Sequence, residues 1–161
     1  AASDVYKRQA SNYTPVDSTF MTTGEILPVE GTPMDFRQPT VLGEQLSKDS
    51  EQLKNGHGID HNWILDTQGD INQVCASLES LYSGIKLEVY TDEPGIQVYT
   101  GNFLDGTQTG KKHITYNFRA SVCLETQKYP DTPNKPQWPS CVLRPGEKYM
   151  SHTIFKFTVD K

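Results

Sequence analysis

The sequence predicts an all-β domain of antiparallel strands, and three observations carry that prediction. Short stretches alternate apolar and polar residues with a period of two, turns rich in glycine and proline separate them, and one stretch alone has helical spacing. Side chains point to opposite faces along a strand, so the alternation means sheets with one face on a core. At 161 residues the length suits one domain.

Residues 1–9, AASDVYKRQ, show no periodicity and no turn logic tying them to residue 10 onward. The string DVYKRQ resembles the translation of a transposon end used in preparing sequencing libraries, so residues 1–9 are set aside as a non-native leader and the domain is taken as 10–161. Residues 13–39 place proline or glycine every few positions around short apolar pieces, which suits brief strands in ordered loops. One helix is expected over residues 41–54, with Leu42, Leu46 and Leu53 on one side and Asn55-Gly56 ending it. Trp63 and Leu65 then alternate, as do Val74, Ala76 and Leu78.

Further along, Ile85, Leu87 and Val89 face one way and Lys86, Glu88 and Tyr90 the other. Ile96 and Val98 oppose Gln97 and Tyr99, and Ala120, Val122 and Leu124 oppose Ser121, Cys123 and Glu125. Thr153, Phe155, Phe157 and Val159 form a last apolar-leaning face. Turns at Glu93-Pro94-Gly95, Asp105-Gly106 and Pro145-Gly146 separate these runs.

Composition narrows the function. Net charge is -5 with no basic stripe, which argues against nucleic acid as a partner. No run of about 18 apolar residues offers a membrane helix, so no membrane partner is expected. Cys75, Cys123 and Cys141 lack metal-like spacing and sit among strand-like residues, as small buried hydrophobes do. Free thiols favour a reducing compartment, and a cytoplasmic location is expected. No cluster suggests a metal, and no cofactor is expected.

Three polar residues draw attention. Glu125 shares the face opposite Val122 and Leu124, which lines a polar cleft or meets solvent; pattern alone makes it a solvated strand glutamate. Asp60 by itself reads as a turn or cap residue after Gly58-Ile59, and Gln97 as a hydrogen-bonded sheet glutamine.

The segments GIDHNW (58–63), EPGIQVYTGNFLDG (93–106), CLETQKYPDTPNKPQWPS (123–140) and LRPGEKY (143–149), with GTPMDFR (31–37) upstream, change that reading. Together they resemble the aldose 1-epimerase (galactose mutarotase) family from about residue 12 onward. The resemblance implies the C-terminal part of a large antiparallel β-sandwich, the galactose mutarotase-like supersandwich, truncated at its N-terminus. It implies interconversion of the α and β anomers of free hexoses such as galactose and glucose, with no cofactor. A base takes the proton of the anomeric hydroxyl while an acid protonates the ring oxygen. The family's base falls on Glu125, and its sugar-binding aspartate and glutamine fall on Asp60 and Gln97. A carboxylate gripping neighbouring hydroxyls orients the sugar, and an amide both donates and accepts.

The family's acid is a histidine outside this chain. His61 is read as structural, and His57, His113 and His152 as surface residues. The chain alone is therefore expected to be inactive or weakly active. Pro130, Pro133, Pro136 and Pro139 could form a polyproline ligand. The resemblance instead makes the segment an ordered loop packed by Tyr129 and Trp138, either of which could stack on a sugar. The competing function is a carbohydrate-binding sandwich without turnover.

Overall fold

The computed structural model describes residues 5–8 and 10–159. Ten strands are β1 (Val5–Arg8), β2 (Asn12–Thr14), β3 (Leu27–Pro28), β4 (Thr40–Val41), β5 (Asp60–Ile64), β6 (Ala76–Glu79), β7 (Ile85–Thr91), β8 (Gly95–Tyr99), β9 (Cys123–Gln127) and β10 (Thr153–Val159). They form two five-stranded sheets, ordered β10-β7-β6-β1-β4 and β3-β2-β5-β8-β9, and every pairing is antiparallel. The all-β reading holds.

The sheets bury one face each against the other. Tyr6, Ala76 and Val89 from the first meet Trp63, Ile96, Val98 and Leu124 from the second in a single apolar cluster. Trp63 is fully buried, and its indole nitrogen donates to the Met34 carbonyl at 3.1 Å. Burying a side chain of that size supplies about 2–3 kcal/mol, while the N–H finds the partner that burial demands. Between β7 and β8 the chain changes sheets within Asp92, Glu93 and Pro94. Glu93 is buried there, and Lys128 and Tyr149 donate to its carboxylate at 2.5 and 2.6 Å. Those bonds tie the turn to the end of β9 and to the loop before β10.

Three expectations need correction. Two helices, α1 (Leu42–Leu46) and α2 (Glu51–Asn55), replace the one expected over residues 41–54. The Ser47 hydroxyl donates back to the Glu44 carbonyl at 2.8 Å, and Ser50 is extended at φ -152°. Leu42 and Leu53 are nonetheless buried as their spacing required.

The face of Thr153, Phe155, Phe157 and Val159 is largely exposed, Phe157 at 67%. Phe155 is paired with buried Val89 and Phe157 with Leu87, so the face does turn toward the core side. Cover from the second sheet ends near Thr153, whose Oγ1 lies 2.5 Å from that of Thr126 on β9. Cys141 is exposed in the loop before β10, unlike buried Cys75 and half-buried Cys123.

The segment set aside as a leader falls only partly within the described residues. Residues 1–4 and 9 lie outside the described residues, but Val5–Arg8 forms β1 between β4 and β6, with Tyr6 and Arg8 buried.

Candidate active site

Strands β5, β8 and β9 lie side by side, and their register builds the site. Asn62 pairs with Gln97 and Gln97 with Glu125; one repeat along, Asp60 pairs with Tyr99 and Tyr99 with Cys123. Directly paired residues share a face. Asp60, Gln97 and Glu125 therefore stand together, while His61, Val98 and Leu124 point into the core. Asp60 and Glu125 are two strands and one side-chain repeat apart, about 12 Å between backbones from ordinary sheet spacings.

Gln97 bridges the interval. Its Nε2 donates to Asp60 Oδ1 at 2.8 Å. Gln127 Nε2 donates to Gln97 Oε1 and to Asn62 Oδ1, each at 3.3 Å. These groups open on a cavity of about 390 Å³, lined by Phe20, Asp60, Gln97, Tyr99, Phe103, Glu125, Gln127 and Pro130. Tyr99 stacks on Phe103 with ring centres 6.2 Å apart, and Phe103 N–H donates to the Tyr99 hydroxyl at 2.9 Å. Phe20 meets Phe103 edge-on at 6.4 Å. The result is an acidic and amide floor beside an aromatic wall.

Burial pushes the Asp60 carboxyl above its usual range, and the Gln97 hydrogen bond partly offsets this. Burial also raises the Cys123 thiol, and the charges of Glu125 and Asp60 push the same way. That thiol is no nucleophile at neutral pH. His61 is the reverse case: burial, then the charge of Arg8, lowers it to about 4. Its Nδ1 accepts the Asp60 backbone N–H at 3.1 Å, so it holds the β5 backbone that presents Asp60. His57 packs against Phe103, His113 is exposed, and His152 pairs with Asp92 at 2.7 Å.

Among the described residues, no three His, Cys, Asp or Glu side chains cluster as metal ligands, and no helix is long and apolar enough to cross a membrane. A larger cavity of about 770 Å³ lies between residues 31–40 and 45–49. Its Arg37 is already held by Asp35 through bonds of 3.0 and 2.7 Å. The smaller cleft is the better candidate.

Tyr129 and Trp138 are buried and meet edge-on at 5.6 Å, so they pack the proline-bearing loop and do not line the cleft. That loop contains a 3-10 turn at Thr132–Asn134, which is not polyproline geometry. The aromatic wall of Phe20, Tyr99 and Phe103 escaped the sequence reading. Tyr99 was within reach, because its alternation places it on the face of Gln97.

The fold and site define an antiparallel β-sandwich with a carboxylate and amide cleft on three adjacent strands. The family model described as aldose 1-epimerase matches residues 2–156, and the chain belongs to that family. Galactose mutarotase of Rattus norvegicus is 47% identical over 160 residues, covering 97% of this chain and 45% of its own length. Aldose 1-epimerase of Escherichia coli K12 is 37% identical over 153 residues, covering 94% and 44%. The chain thus spans less than half the length of these relatives. A crystal structure of an aldose epimerase homologue from C. elegans superposes with a TM-score of 0.86 at 29% identity, over 99% of this chain and 47% of that one. Galactose 1-epimerase from Lactobacillus acidophilus gives 0.79 at 26% identity, over 99% and 45%.

Proposed function

We propose that the protein containing this chain interconverts the anomers of a free hexose, galactose or glucose, with Glu125 as general base. The observation that supports this most is the register that sets Glu125 beside Gln97, and Gln97 against Asp60, on the floor of one cleft. Asp60 accepts from sugar hydroxyls, and Gln97 donates or accepts with the atoms its Asp60 bond leaves open. The aromatic wall suits an apolar sugar face.

The reaction balances without a cofactor. Glu125 takes the proton of the anomeric hydroxyl, the bond from C1 to the ring oxygen breaks, and an acid protonates that oxygen. The aldehyde turns about the C1–C2 bond and closes on its other face, returning both protons. None of the chain's four histidines lines the cleft, and His61 is neutral and core-facing. The acid is therefore assigned to a part of the protein outside this chain, and the chain alone is read as inactive or weakly active.

Glu125→Gln in the full-length parent tests the reading. It keeps the shape and removes the base, so kcat in polarimetric mutarotation falls about 10²–10⁴-fold while the sugar still binds. Near-normal turnover would remove Glu125 from the mechanism. A wild-type parent that binds hexose without exchanging anomers would favour the binding-module reading.

A further inference from the structure

We propose that Gln127 is a positioning residue that fixes the direction of the Gln97 amide, and that Gly95 is glycine to let it do so. The proposal rests on the hexose-site reading of the cleft.

Polarity is set at Asp60. An ionised carboxylate only accepts, so Asp60 Oδ1 draws Gln97 Nε2 to 2.8 Å and turns Gln97 Oε1 the other way. That oxygen needs a donor, and Gln127 Nε2 stands 3.3 Å from it. The same amide donates to Asn62 Oδ1 at 3.3 Å, which turns Asn62 Nδ2 toward Thr14 Oγ1, 3.5 Å away on β2. Each amide direction is set by the one before. Gln97 then has one N–H and one lone pair in fixed places, which a sugar hydroxyl can read.

Gly95 makes the crossing possible. It is paired with Ile64 on β5 and Gln127 on β9, between the two strands whose amides must meet. A Cβ there would lie 2.6 Å from Asn62 Oδ1 and 2.9 Å from Tyr129 Cδ1. Its φ lies outside the left-handed region, so backbone conformation does not demand glycine here; space does. Gln127 itself was not among the candidates from sequence, although it shares Glu125's face two residues on.

The test uses the full-length parent, with galactose affinity from calorimetry and KM and kcat from polarimetry. Gln127→Met removes the donor at similar volume, and loss of one such bond raises Kd and KM roughly twofold to tenfold with kcat unchanged. In a Gln97→Met background the same substitution has no further effect, because Gln127 acts through Gln97. Gly95→Ala reproduces the Gln127→Met change by crowding Asn62 Oδ1 while leaving the Gln97 and Gln127 side chains unaltered, and carries the test if Gln127→Met does not fold. Wild-type affinity in Gln127→Met and Gly95→Ala, or the full loss persisting without Gln97, overturns the proposal. If the wild-type parent binds no hexose, the site reading fails and the relay falls with it. If wild type binds and the variants bind equally well, the relay alone fails.

Discussion

Asp60 and His61 are neighbours in the chain with opposite surroundings. One step along β5 reverses the face, so the carboxylate enters the cleft and the imidazole enters the core. Arg8 shows what happens when a residue type conflicts with its face. Its guanidinium lies 3.2 Å from the centre of the Trp63 ring, and none of its three nitrogens finds a hydrogen-bond partner among the described residues. Burial lowers it to about 9 against the opposing pull of Tyr6 and Asp35. An unpaired buried charge is destabilising even over an aromatic face. Arg8→Met keeps the length and the contact with Trp63 but removes the charge. We expect it to stabilise the fold by about 1–4 kcal/mol, read as a higher urea midpoint. A lower midpoint would mean that the cation–π contact outweighs desolvation.

Among the elements, β10 stands out. It closes one end of its sheet, its outer edge is unpaired among the described residues, and Phe155, Phe157 and Val159 are open on the core-side face. A long edge strand with exposed hydrophobes is a template for association. The chain expressed alone is therefore expected to associate at micromolar concentration, seen as a rising apparent mass in light scattering. Phe157→Lys, placed where exposure is 67%, should return it toward the monomer. A monomeric wild-type chain with a sharp melt would contradict this. The helices teach a smaller lesson. Leucines at helical spacing secured burial of Leu42 and Leu53, but continuity depended on Ser47 to Ser50, where turn chemistry prevailed.

For the whole molecule, the buried His61 links stability to pH. Its folded value is about 4 against 6.5 for the free side chain, so the unfolded chain binds a proton that the folded one refuses. Stability then rises with pH between those values and is lost as pH falls from about 6.5 toward 4, by about 3 kcal/mol when complete. Asp60 contributes in the other direction: its raised carboxyl favours the fold below its unfolded value of 3.8, and that advantage disappears as pH rises through the folded one. The window from pH 6.5 to about 5 spans the upper part of the histidine titration, above the ordinary range of carboxylates. Thermal midpoints of the full-length parent should fall across it, and His61→Phe should flatten the slope. An unchanged slope in that variant would place the proton uptake elsewhere.

What the sequence determined by itself was local and periodic. Alternation assigned the strands, and it put Glu125, Gln97 and Tyr99 on polar faces because a strand allows only two directions for a side chain. Motifs carried Asp60 into the same company through a family resemblance. Register, sheet order and cover belonged to the tertiary structure. Only the pairing of β5, β8 and β9 brings residues 60, 97 and 125 onto one floor and lets Gln127 reach across Gly95. The same holds for failures: an apolar face on β10 is core only where a second sheet lies over it, and Arg8 is buried because Phe36 and Trp63 cover its strand. Those outcomes depend on contacts between residues far apart in the chain, which no period along it encodes.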